Sequence, residues 1–159
     1  MAPIPYGSLN FSSKEMIRYT PRIQLDTPVI PLGGVTLHDL LNRPLQQLTR
    51  RYPALATPSL LPSGLPEIML KFAWLGYEQC NFSEYISLAG VKDHGHLAVN
   101  VAVALHALMQ QASRVKPHTK TYAMGPGSLY TEQNLALLGL RQIHANVFVA
   151  ELELQRRMS

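Results

Sequence analysis

The sequence predicts an α+β domain, a mostly antiparallel sheet packed against one or two helices, with a flexible N-terminal arm and a proline-rich loop. Three observations point there. Segments 97–105 and 143–154 alternate apolar with polar or small residues, the period of a half-buried strand. Segment 36–52 sets Leu37, Leu40, Leu41, Leu48 and Tyr52 at three- and four-residue steps, the period of a helix. No repeat, low-complexity tract or linker divides the chain, so 16–159 reads as one globular domain behind an arm of residues 1–15.

The elements follow in order. Residues 1–15 hold two prolines, a glycine and three serines, the composition of a loosely held arm. In 16–30, Ile17, Tyr19, Ile23 and Leu25 alternate with Arg18, Arg22, Gln24 and Asp26, and Pro21 and Pro28 confine the segment to an edge or break it in two. Gly33-Gly34 is expected to end it. Thr36 is then an N-cap, with Asp39 three residues on as a capping-box variant at the positive end of the helix. Pro44 lacks a backbone donor and kinks or splits that helix, and Tyr52-Pro53 ends it.

Segment 54–66, with Pro58, Pro62, Pro66, Ser59, Ser63 and Gly64, is a loop that folds over its own core or docks on a neighbour. Segment 67–77, rich in Ile68, Met69, Leu70, Phe72 and Trp74, reads as a buried strand, a short helix being the alternative. A short strand follows at 85–89. In 97–105, Leu97, Val99, Val101, Val103 and Leu105 share one face of an expected strand, although the intervening alanines keep a helix open. Segment 117–128 is a basic loop turning at Gly125-Pro126-Gly127, and 130–140 reads as a short helix. The closing strand, 143–154, points Phe148, Leu152 and Leu154 inward and Glu151, Glu153 and Gln155 outward.

At 159 residues the chain is long enough to bury roughly two-thirds of its unfolded surface. Hydrophobic residues make up 47%, while only 15% are charged, against the usual ~25%. So thin a charged coat favours cover by a partner or a second copy. The single cysteine, Cys80, excludes an internal disulfide framework and a multi-cysteine zinc site, and suits a reducing compartment. Met1-Ala2-Pro3-Ile4-Pro5-Tyr6 lacks the basic and apolar runs of a secretory signal. The longest apolar stretch, 97–109, is too short to span a bilayer and carries Asn100 and His106, so any membrane contact is expected to be peripheral.

The formal charge of +4 is unevenly spread. From His94 through Thr131 there is no acidic residue, while Arg114, Lys116 and Lys120 cluster around His118, and Arg156 and Arg157 form a second basic point. Such a field attracts the phosphates of lipid or RNA and weakens with salt. A solvated loop beside a neutral sheet is the alternative.

Sites for chemistry are weakly marked. Asp93-His94-Gly95-His96, with His106 beyond, offers imidazoles for a metal if His94 and His96 lie on extended backbone, but Gly95 equally suits a turn that scatters them. Gly125-Pro126-Gly127-Ser128 lacks the second glycine of a nucleophile elbow. Cys80, among Trp74, Tyr77 and Phe82, reads as a core thiol. Gly33-Gly34 is not followed by the Lys-Ser/Thr of a phosphate loop, and Glu151 and Glu153 alternate with leucines as solvent-facing residues do. No catalytic constellation, bound metal or cofactor is expected. Pro3, Pro5 and Tyr6, in an arm that suits an aromatic groove or simply hangs free, and Leu60, Leu61 and Leu65 of the proline-rich loop are the candidates for self-association.

Three stretches carry a family resemblance. Ile17-Arg18-Tyr19-Thr20 through Leu25, followed by the helix at 36–52, looks like the first strand and long helix of rhabdovirus matrix proteins. Glu67-Ile68-Met69-Leu70-Lys71-Phe72-Ala73-Trp74-Leu75-Gly76 is similar to that family's central apolar strand, and 137–154, with Gly139-Leu140 ahead of an alternating run, to its closing strand. Vertebrate-infecting members have a lysine-rich N-terminus, whereas this arm has only Lys14, and Ile4 stands where their Pro-Pro-x-Tyr motif needs proline. A shorter, arm-poor relative, such as one from a plant-infecting rhabdovirus, would account for both departures.

The resemblance implies a structural protein without enzymatic activity. It would polymerise, bind the nucleoprotein–RNA complex and touch the acidic inner leaflet, and so lie in the virion between nucleocapsid and envelope and on the inner membrane face of the host cytoplasm. Arg114, Lys116, Lys120, Arg156 and Arg157 would then meet nucleocapsid and membrane. A different assembly protein, such as a capsid subunit, or a small metal protein built on His94, His96 and His106, are the alternatives.

Overall fold

The computed structural model describes residues 2–3, 29–58, 65–72, 74, 77, 82–116, 130–144 and 146–155. In chain order they form β1 (Ala2–Pro3), β2 (Val29–Thr36), α1 (Leu37–Asn42), α2 (Leu45–Arg51), a 3₁₀ turn (Pro53–Ala56), β3 (Glu67–Lys71), β4 (Ser83–Ser87), α3 (His94–Ser113), β5 (Leu135–His144) and β6 (Val147–Leu154). The α+β class expected from the sequence is the class observed. The expectations for 16–28 and 117–128, and for all of the arm but Ala2–Pro3, lie outside the described residues.

The sheet runs β2-β5-β6-β3-β4, with β1 also on β6. Every pairing is antiparallel except β3 with β6. One edge of β6 is shared: β3 takes its start, where Met69 and Leu70 face Val147 and Phe148, and β1 takes its end, where Ala2 faces Leu154. Ile68, Leu70, Ile86, Phe148, Ala150 and Leu152 join α3 in one buried cluster. Beyond β3 the core becomes aromatic, with Phe72 and Trp74 rings stacked at 6.3 Å and Trp74 edge-on to Tyr130 at 5.4 Å.

The capped helix forms where its sequence places it. Thr36 Oγ1 accepts a hydrogen bond from the Asp39 N–H at 3.2 Å, which satisfies one donor of the first turn. Pro44 splits the helix: Arg43 before it is extended, as the proline ring demands of its predecessor, and α2 starts afresh at Leu45.

Elsewhere the structure differs from the sequence expectations. Gly33-Gly34 does not end the second strand. Both glycines take positive φ, 88° and 70°, and absorb a register shift between Pro31 and Val35, so β2 continues to Thr36. Segment 130–140 is not a helix; a turn at 131–134 leads into β5, a ten-residue strand. The closing strand starts at Val147, after a turn at Asn146, and Ile143 belongs to β5. The central apolar strand stops at Lys71, and the strand expected at 85–89 lies at Ser83–Ser87.

The largest correction is segment 97–105, which is the middle of the twenty-residue helix α3. Leu97, Ala98, Val101, Ala102, Ala104, Leu105, Leu108, Met109 and Ala112 are buried, a helical stripe, while Val103 is 55% exposed. Asp93 caps the helix, its Oδ1 accepting from the His96 N–H at 2.9 Å. Gly95 sits in the first turn because a Cβ there would meet Leu45 Cδ1 at 2.9 Å and the Leu55 carbonyl at 3.1 Å. Among the described residues, no helix is long and apolar enough to cross a membrane.

Candidate interaction surface

β4 is an edge strand: its register pairs Leu70 with Glu84, Met69 with Tyr85 and Ile68 with Ile86 of the neighbouring β3. Just beyond its ends, the Phe72 N–H donates to the Phe82 carbonyl at 2.9 Å and the Leu88 N–H to the Pro66 carbonyl at 3.0 Å. These bonds set the phase of the ladder. In an antiparallel pair, alternate residues turn their backbone groups inward, so Glu84 and Ile86 bond to β3. The N–H and C=O groups of Ser83, Tyr85 and Ser87 therefore point away from the sheet.

Beside this edge runs α3, and the two border a groove of about 320 Å³. Glu84, Tyr85, Ile86 and Ser87 line one wall, and Asn100, Val103, Ala104 and Ala107 the other. Tyr85 and Val103, 58% and 55% exposed, are the two exposed large hydrophobic residues among those described, and both line it. From His94 through Ser113 the helix carries no Asp, Glu, Lys or Arg. A solvent-facing helix normally sets charge opposite its buried stripe. This one presents amides, alanine and valine instead.

The groove face continues to the C-terminal end of α3, where Arg114 is the helix C-cap and both Arg114 and Lys116 are exposed. Cations there sit at the negative end of the helix dipole. Of the other basic candidates, Lys120, Arg156 and Arg157 lie outside the described residues, as do Pro5, Tyr6, Leu60 and Leu61. Pro3 pairs with Glu153 of β6, and Leu65 is half-buried against the protein's own core.

A second hollow, of about 260 Å³, is polar. Arg43 and Arg51 line it with His38, Tyr52, Gln133 and Gln155. Arg43 Nε donates to Asp39 at 3.0 Å, and the Arg51 guanidinium lies 5.6 Å from the centre of the Tyr52 ring. Gln155, which lines this hollow, immediately precedes Arg156 and Arg157 in the sequence. Sequence reasoning missed Arg43 and Arg51; their only sequence signal was their place on a capped helix pair whose polar side they share.

The histidines do not converge. His94 and His96 stand on the first turn of α3, not on an extended strand, and point different ways. His94 is buried, and neither ring nitrogen has a hydrogen-bond partner among the described residues. Burial pushes its imidazole below the ordinary value, and the nearby Asp93 carboxylate opposes that in part. His96 is exposed beside Asp93. His106 pairs with Glu132 and ties α3 to the turn ahead of β5. Among the described residues, no three His, Cys, Asp or Glu side chains are grouped to hold a metal. Cys80 lies outside the described residues, although Trp74 and Tyr77 near it in sequence are buried.

In comparisons with known proteins, no family model, no curated protein and no solved structure matches this chain.

Proposed function

We propose that the protein is a structural assembly subunit of the viral matrix type, which associates with itself and bridges a nucleoprotein–RNA complex to the acidic inner face of a membrane. One observation carries the reading: among the described residues, an edge strand and a helix without Asp, Glu, Lys or Arg border a groove lined by both exposed large hydrophobics, Tyr85 and Val103. Free soluble surfaces usually scatter such residues and intersperse charges, whereas an assembling face gathers apolar groups, and Glu84 is the one charged residue lining this groove. The cations lie apart from the groove, at Arg114 and Lys116 beyond the helix and at Arg43 and Arg51 in the polar hollow. That separation leaves Arg114, Lys116 and Arg51 available to phosphates of RNA or lipid while the groove is covered, with Arg43, paired to Asp39, beside Arg51 in the hollow. No catalytic step is assigned, and the place of action is the layer between nucleocapsid and envelope.

Sedimentation velocity over a concentration series tests self-association, with Val103→Glu as the disrupting variant at an exposed position. The wild type should shift to heavier species while the variant stays light. Co-sedimentation with phosphatidylserine vesicles and with single-stranded RNA tests the bridging role, with binding falling steeply between low and moderate salt because each neutralised phosphate releases a counterion. Arg43→Ala/Arg51→Ala should weaken it. A chain that stays monomeric at every concentration and ignores both vesicles and RNA sinks the proposal.

A further inference from the structure

The groove states that something covers it; the edge strand states what shape that something has. The sheet has two outer edges, and they are not alike. On β2, Pro31 has no N–H to offer and the Gly33-Gly34 bulge bends the strand, two of the usual guards against edge-to-edge pairing. β4 has neither proline nor bulge among its residues Ser83–Ser87, and its one charged side chain, Glu84, lines the groove rather than standing off the edge. Of the two edges, β4 is the one left open to another strand among the described residues.

The order of residues along β4 points to a particular strand. Those with outward backbone groups read Ser83, Tyr85, Ser87, the same in both directions. Resting on the self-association proposed above, we infer that the partner is a second copy of this chain, joined by antiparallel pairing of the two β4 strands about a two-fold axis at Tyr85. In that register each Ser83 faces Ser87 of the other copy, the two Tyr85 residues face each other, and every outward N–H meets an outward C=O. Each Glu84 falls opposite Ile86 of the other copy, so the strand's only charges do not confront each other.

The two-fold axis stands perpendicular to the sheet, so the joined sheets keep the same face and both α3 helices lie on one side. Their facing surfaces carry Asn100, Val103 and Ala107, with no Asp, Glu, Lys or Arg from His94 through Ser113 to meet its like on the copy. Like charges brought together are a usual penalty of two-fold interfaces, and this stretch of helix brings no such pair. Tyr85 and Val103, exposed in the single chain, are both covered. The partner is thereby fixed as self, and the register as one.

Cysteine cross-linking reads that register. In a Cys80→Ser chain, Tyr85→Cys brings the two copies' Cα atoms to about 5.5 Å, inside the span of about 4.4–6.8 Å that a disulfide bridges. Copper–phenanthroline oxidation should then give a covalent dimer. Ser83→Cys alone should give none, because its two copies are offset by about 13 Å along the strands at roughly 3.3 Å per residue. Mixing Ser83→Cys chains with Ser87→Cys chains should restore the cross-link. Should Cys80→Ser fail to fold, the same series runs in the native background against the unsubstituted chain. Tyr85→Pro supplies a second readout: it removes only an outward N–H at an edge where proline is tolerated, so the dimer should be lost while the far-ultraviolet spectrum stays unchanged. Association in the ultracentrifuge without a Tyr85→Cys cross-link, or with Ser83→Cys cross-linking just as well, overturns the two-fold pairing and leaves self-association standing. A chain monomeric at every concentration removes both.

Discussion

Replacing Leu105 and Val103 by alanine, one at a time, tests the helical packing of α3. A strand through 97–105 would set both side chains on one face, whereas the helix buries Leu105 completely and leaves Val103 55% exposed. Leu105→Ala removes three carbons from the core, about 2.4 kcal/mol at roughly 0.8 kcal/mol per buried carbon, and the cavity left behind raises the cost towards ~2–5 kcal/mol. Val103→Ala removes two carbons that are already half in water, a loss of about 0.7 kcal/mol on the same scale. Alanine's better helix propensity returns up to ~0.7 kcal/mol, so the net change should be near zero. Urea unfolding at protein concentrations too low for association gives both values. For a chain of this size each kcal/mol moves Tm by about 2–4 °C, so Leu105→Ala should lower it by roughly 4–20 °C. Equal losses from the two variants would refute the helix and restore the strand.

Other outcomes follow from single contacts. Asp93→Ala removes the cap of α3 and should cost about 1 kcal/mol, read from the urea midpoint, whereas Asp93→Asn or Asp93→Ser should recover most of it. Gly95→Val pushes atoms into Leu45 and the Leu55 carbonyl and should cost ~1–3 kcal/mol; a neutral effect would mean that α3 does not approach α2 and the 3₁₀ turn so closely. His94 is buried without hydrogen-bond partners among the described residues and its folded pKa is depressed, so its contribution to stability is whole above the ordinary histidine value of about 6.5 and is lost as pH falls from there towards the folded value. Urea midpoints measured from pH 8 to 5 should decline less in His94→Leu than in the native chain. Parallel declines would remove His94 as the cause.

Much of the fold was legible where one local rule acted alone. Thr36 had to cap, Pro44 had to interrupt, and the Phe148, Leu152, Leu154 alternation had to put one face of β6 inside. α3 was not legible because two periods coincide over 97–105: Leu97, Val101 and Leu105 recur every four residues, which fits both a strand and a helix. The residues that separate the two were Ala98 and Ala102, buried yet too small to signal burial, and Val103, apolar yet exposed. β5 was misread for a different reason. It lies between β2 and β6 with Leu135, Ala136, Leu137 and Leu140 all buried, so no alternation marks it as a strand. The groove itself joins β4 to α3, and no local pattern says which strand a helix will border. Its one trace in the sequence was the run of residues from His94 to Thr131 without an acid, to which the basic residues contribute only after Ser113.

The position of β6 bears on how the chain is made. It is the last of the described strands in chain order, yet it stands inside the sheet, with β5 on one side and β3 and β1 on the other. Until it emerges, β2 and the β3–β4 hairpin have no strand to join them. Synthesis stalled short of Val147 therefore leaves the borders of β5 and β3 unclosed, a species prone to clump with its neighbours. Chaperone capture of the nascent polypeptide should accordingly persist until Val147–Leu154 has emerged.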